Sequence, residues 1–156
     1  MPTPMDLAMA YIRNRQGGGQ YLGGSTGARL HETPQGRFVA KRGNSPEHIL
    51  NEYDINQYLN ALGVGVPQAT LHQEGGRPTM LTQFEEGATR YRPDRDRAQV
   101  TQDFVPHALV ANWDMLGMDN DNALRVHSER RAHRKDKPSV VQWVNLTRYE
   151  TRTHTN

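Results

Sequence analysis

The sequence predicts an α+β fold, an antiparallel sheet with one flanking helix followed by a shortened helical portion, and three observations carry that prediction. Short β-branched or apolar runs come in pairs around turn residues: 28–32 with 37–42 around Thr33-Pro34-Gln35-Gly36, and 66–72 with 79–84 around Glu74-Gly75-Gly76-Arg77-Pro78. Paired runs of this length with Pro and Gly between them are hairpin signals. Between the two pairs, Ser45-Pro46-Glu47 opens a helix, with Ser as N-cap, Pro at the first helical position and Glu in the first turn. After the second pair, residues 100–113 carry Phe104, Leu109, Val110 and Trp113 and form the next helix.

The elements follow in order. Residues 5–13 make a short helix with Met5, Ala8, Met9 and Ile12 at helical spacing, ended by the linker Gly17-Gly18-Gly19. Tyr21-Leu22 is a strand entering the glycine-rich turn Gly23-Gly24-Ser25-Thr26-Gly27-Ala28. In the helix opened by Ser45, Ile49, Leu50, Tyr53, Leu59 and Leu62 recur at helical spacing, and Gly63 is its stop. Glu85-Glu86-Gly87 breaks the strand pattern and acts as a hinge. Residues 88–99, with Arg90, Arg92, Arg95 and Arg97 beside acids, are exposed loop or helix surface. Residues 115–122 form a loop dense in Asp and Asn, 123–126 a short strand, and 140–144 an edge strand with no partner specified.

With 156 residues the chain has one domain's worth of length. It holds no cysteine, so disulfides and thiolate metal sites are excluded. No apolar run approaches the ~18 residues of a membrane span, and residues 1–15 lack the basic start and apolar block of a signal peptide. The expected location is the cytoplasm, with no membrane partner. Charge is uneven: residues 1–122 hold eleven Lys/Arg against fourteen Asp/Glu, and residues 123–156 hold eight against three. The expected organisation is an N-terminal helix and linker at 1–20, a sheet domain at 21–85, a helical portion at 86–127, and a basic, solvated or disordered tail at 128–156.

Two constellations carry chemistry. In the first, the glycine turn leads through a hairpin to Val39-Ala40-Lys41, and the next helix carries Glu52. Loop glycines let backbone N–H groups approach phosphate oxygens, a lysine supplies a point charge for them, and a helix carboxylate holds the lysine. Taken singly, the glycine pair is a tight bend, Lys41 a strand-end surface lysine and Glu52 an exposed helix residue. Their order along the chain is what favours the phosphate site. In the second, Asp114 follows a helix and Asp121-Asn122 precedes a strand. Phosphoryl transfer needs a carboxylate near the attacking hydroxyl and an oxygen-bearing side chain on Mg²⁺. An Asx-rich turn is the structural alternative.

Together, GGSTGA with VAKR, the helix NEYDINQYLNALGVGVP and the segment ANWDMLGMDNDNAL resemble the atypical protein-kinase-like phosphotransferases, the HipA-like and phosphoinositide-kinase-like proteins of bacteria and phages. The resemblance spans about residues 22–126. It implies a kinase small-lobe-like sheet and bound ATP and Mg²⁺. Gly23, Gly24, Ser25, Thr26 and Gly27 would cover the phosphates, Lys41 would contact them, and Glu52 would be its helix partner. The strand and hinge against the adenine would run from Met80 to Glu85. Asp114 would be the catalytic carboxylate, and Asn122, beside Asp121, a metal ligand. Asn122 follows Asp114 by eight residues where typical protein kinases use five. The metal-binding aspartate of the next hairpin has no clear counterpart, Asp136 lying within a basic run. Three functions therefore stand: a phosphotransferase acting on an unknown acceptor, an inactive pseudokinase or partner-binding module, and a small nucleic-acid-binding protein using the tail.

Overall fold

The computed structural model describes residues 3–14, 18–22, 27–84 and 87–110, together with the strands at 123–126 and 140–143. The fold is α+β. A five-stranded antiparallel sheet is built from β1 (Gln20–Tyr21), β2 (Arg29–Thr33), β3 (Gly36–Lys41), β4 (Ala69–Glu74) and β5 (Arg77–Gln83), in the order β1-β2-β3-β5-β4. Both expected hairpins are present. Thr33 pairs with Gly36 across a turn at Pro34-Gln35, and Glu74 pairs with Arg77 across Gly75-Gly76. The second turn is tighter than its apolar runs suggested: Gly75 and Gly76 alone make it, and Glu74, Arg77 and Pro78 belong to the strands.

Successive side chains of a strand point to opposite faces. On one face Phe38, Ala40 and Leu81 pack under α1 (Pro4–Asn14) through Leu7, Ala10 and Tyr11. This corrects the expected inward stripe. Of Met5, Ala8, Met9 and Ile12 only Ala8 packs on the core, and Met5 is 70% exposed. Both stripes are apolar at helical spacing, and the sheet selects the one carrying Tyr11. Its ring meets Phe38 edge-on at 6.5 Å, and its hydroxyl accepts a 3.1 Å bond from Arg42.

Lys41, one residue beyond Ala40, points to the opposite face. There it meets α2 (Pro46–Ala61), which begins as expected: Ser45 is the N-cap and its Oγ accepts the His48 N–H at 3.2 Å. Ile49 and Leu59 are buried, whereas Leu62, expected on the inner face, is half exposed as the C-cap residue. Asn56 is buried as well, and its amide donates to the Pro67 carbonyl at 3.0 Å, tying the helix to the segment that leads into β4.

The next helix, α3 (Pro93–Leu109), starts earlier than the apolar pattern indicated. Pro93 occupies its first turn with Asp94 and Asp96, and the Asp96 carboxylate accepts the Arg92 N–H at 2.9 Å. Acids in a first turn complement the positive end of the helix, so the charged run is a helix start. Phe104 and Leu109, which marked this helix in the sequence, are 53% and 69% exposed, while Asp96, Asp103 and His107 are buried. Val100 and Val110, with Ile55 and Val66, pack against the cluster of Leu59, Val64 and Tyr91 that fastens α3 to α2. Trp113 lies outside the described residues.

A second, three-stranded antiparallel sheet joins β6 (Thr89–Arg90), β7 (Ala123–Val126) and β8 (Val140–Trp143). The expected strand at 123–126 is present. The strand at 140–143, which the sequence left without a partner, pairs with it from Val126↔Val140 to Ala123↔Trp143. The rest of the tail lies outside the described residues.

Candidate functional site

The site is assembled from the hairpin outward. β1 and β2 pair Gln20 with Leu30 and Tyr21 with Arg29, and the Leu22 N–H donates to the Ala28 carbonyl at 3.0 Å. The glycine segment is therefore the connection of a hairpin, closed at its base by Leu22 and Ala28. β2 and β3 pair Arg29 with Ala40. Continuing that register by one residue sets Ala28 opposite Lys41, so the end of the glycine turn and the lysine are neighbours on one face.

Lys41 is buried, and its Nζ lies 2.5 Å from Glu52 Oε1; the two side chains are 8% and 12% exposed. The two residues are eleven apart in sequence and on different elements, so the lysine-to-helix-glutamate contact is a tertiary fact. The strand-end surface lysine and the exposed helix glutamate are both excluded. The second oxygen, Glu52 Oε2, is buried without a hydrogen bond, with His48 Nε2 at 3.9 Å one helical turn earlier. Met80 is paired in register with Lys41 and is buried.

Next to this ion pair the same face carries an apolar cluster, Ala28, Leu30 and Val39, with partly buried Leu22, Phe84 and Ala88 around it. Arg37, on the same face by alternation, stacks its guanidinium 4.5 Å from the centre of the Phe84 ring. Sequence reasoning had named Leu22, Ala28 and Val39 of this cluster, but only as strand and turn residues and not as a cluster. The alternation Val39–Lys41 and the hairpin register were the signals that place Leu30 and Val39 beside Ala28.

Chemically the arrangement joins a cation, held by one carboxylate, to a buried apolar cluster at the root of a glycine hairpin. Burying both charges costs several kcal/mol each unless they satisfy one another. A lysine held in this way presents a fixed cation to a group that approaches along the face. Gly27 is described, at the end of the turn; Gly23, Gly24, Ser25, Thr26, Glu85, Asp114, Asp121 and Asn122 lie outside the described residues. Among the described residues no group of three or more His, Asp or Glu side chains is arranged to hold a metal ion. No described helix is long and apolar enough to cross a membrane.

Comparison of the chain with protein-family models, with curated proteins and with solved structures finds no match.

Proposed function

We propose that this chain binds a nucleoside triphosphate, ATP by preference, in the manner of a kinase small lobe. The carrying observation is the buried Lys41–Glu52 pair beside the root of the glycine hairpin, at the end of the Ala28–Leu30–Val39 cluster. The apolar cluster is the floor for the base, and the Lys41 ammonium is the charge for the phosphates. Phosphoryl transfer to an acceptor is a further step. The family resemblance assigns its base to Asp114 and Mg²⁺ to Asn122 and Asp121, and nucleotide binding at Lys41 does not depend on them.

Thermal unfolding with and without ATP and Mg²⁺ tests binding. A nucleotide at about 100 times its dissociation constant adds about 2.7 kcal/mol of stability. Replacing Lys41 alone orphans the buried Glu52 carboxylate, so the decisive variant is Lys41→Met with Glu52→Gln, which removes both charges together. It is expected to fold and to lose the ATP-dependent shift; a shift of undiminished size in that variant overturns the assignment. Transfer of label from γ-labelled ATP, lost in Asp114→Ala, separates a phosphotransferase from a pseudokinase that binds without reaction.

A further inference from the structure

The opposite face of the sheet holds a cluster that the nucleotide site does not use. Tyr11 of α1 is buried between two histidines: His31 of β2, with ring centres 5.7 Å apart, and His72 of β4, at 5.5 Å, both edge-on. His31 lies flat on Phe38, 5.1 Å away and within 4° of parallel. β2 and β4 are separated by β3 and β5, about 14 Å between chains at the usual strand spacing. The histidines therefore grip Tyr11 from two sides and do not share one ion.

Nδ1 of His31 and Nε2 of His72 are buried without a hydrogen-bond partner. A neutral imidazole tolerates this with its bare nitrogen turned inward, whereas an imidazolium carries N–H on both nitrogens and leaves one buried donor unmet. The charged surroundings do not help it. From β2, Arg29 sits two residues from His31 on the same face, its guanidinium on the Gly18 and Gly19 carbonyls at 2.9 and 3.2 Å. From the end of β3, Arg42 donates to the Tyr11 hydroxyl. On α1, Asp6 is occupied by Thr3 at 2.7 Å, at the exposed head of the helix. Glu32 points to the other face, 3.9 Å from Arg37, and from β5 the residue opposite His72 is the uncharged Thr79. No carboxylate among the described side chains hydrogen-bonds either ring. Burial, with Arg29 adding to it, holds His31 below the ordinary imidazole range.

We propose that His31 is a proton-operated latch on α1: when its ring takes up a proton, the helix leaves the sheet. The sign follows from linkage. A group whose folded form resists protonation leaves stability intact above the ordinary imidazole pKa, about 6.5, and removes it as pH falls below that value. The loss is local to α1. Its eleven residues are too few to persist as a helix in water once detached, while α2 keeps its own buried anchors, Ile49 and Leu59.

Hydrogen exchange of the whole chain, followed by segment from about pH 7.5 to about pH 5.5 and corrected for the intrinsic rate, tests the latch. Protection across 7–14 is expected to fall below pH 6.5 by up to about tenfold per pH unit, the factor for one proton taken up. Protection across 49–59 in α2 is expected to hold. His107, buried on α3 and likewise held below its ordinary range by burial against the opposing pull of Asp103, is read separately through the α3 amides. His31→Phe, or His31→Gln should the aromatic variant not fold, is expected to flatten the α1 profile. The latch is refuted by a flat profile in the natural chain, by α1 and α2 losing protection together, or by a slope that survives in the folded His31 variant.

Discussion

Lys41 stays out of water because Glu52 is there with it, and neither charge is tolerable alone. Removing one member of such a pair leaves a bare buried charge, which costs about 3–5 kcal/mol, whereas removing both with matched volume is close to neutral. Chemical denaturation is therefore expected to rank Lys41→Ala well below the paired Lys41→Met, Glu52→Gln chain. Asn56 works by the same logic with a neutral group. Its truncation to Ala orphans the Pro67 carbonyl and is expected to lower stability by about 1–3 kcal/mol in urea unfolding. Only one of these two contacts was legible beforehand. A lysine ending a strand and a glutamate on the following helix have an order that suggests a pair, whereas nothing in the local sequence tells a buried Asn56 from a solvated one. Its partner is a backbone carbonyl eleven residues away. The histidines were equally silent: His31 and His72 become a pair only when four strands are arranged between and around them.

At the scale of elements, α2 shows how far local signals reach. Ser45, Pro46 and Gly63 mark its ends, and the structure uses all three at their expected places. Two glycines near those ends look alike in sequence and differ in the fold. Gly43 and Gly63 both have positive φ, at 64° and 78°. A Cβ on Gly43 would lie 2.6 Å from Cγ1 of the fully buried Ile49, while one on Gly63 would meet nothing within 4 Å. Gly63→Ala is expected to cost the left-handed penalty alone, about 1–2 kcal/mol. Gly43→Ala adds overpacking of about 1–3 kcal/mol, so its thermal midpoint should fall distinctly further. The helices flanking α2 show where local signals mislead. Met5, Met9 and Ile12 on α1, and Phe104 and Leu109 on α3, have helical spacing yet face outward. A helix's periodicity identifies its faces, but the surface it docks on decides which face turns inward. On α3 that choice buries Asp96, whose carboxylate is bonded to Arg92 and Arg95.

Across the whole molecule, α2 and α3 are joined by an apolar junction in which Leu59 of α2 and Val64 just beyond it meet Tyr91, with Val100 of α3 and Val110 at its C-cap packed against them. Leu59 is buried and central to it. Leu59→Ala is expected to cost about 2–5 kcal/mol through lost contact and residual cavity. Because the junction is shared, tyrosine fluorescence and far-UV circular dichroism should shift to the same new urea midpoint; two separated transitions would mean that the sheet and α3 unfold independently.

By itself the amino-acid order determined the α+β class, both hairpins, the start and stop of α2, and the lysine–glutamate order around the glycine turn. These depend on turn chemistry, capping and spacing, which act over a few residues. Only the tertiary structure decided that Lys41 and Glu52 touch, that Leu30 and Val39 lie beside them, and that β8 pairs with β7. It also decided that α1 is held by a tyrosine between two histidines. Each of these needs elements far apart in the chain to meet, and the energy that selects among such meetings comes from burial and from satisfying buried polar groups, which no local stretch of sequence contains.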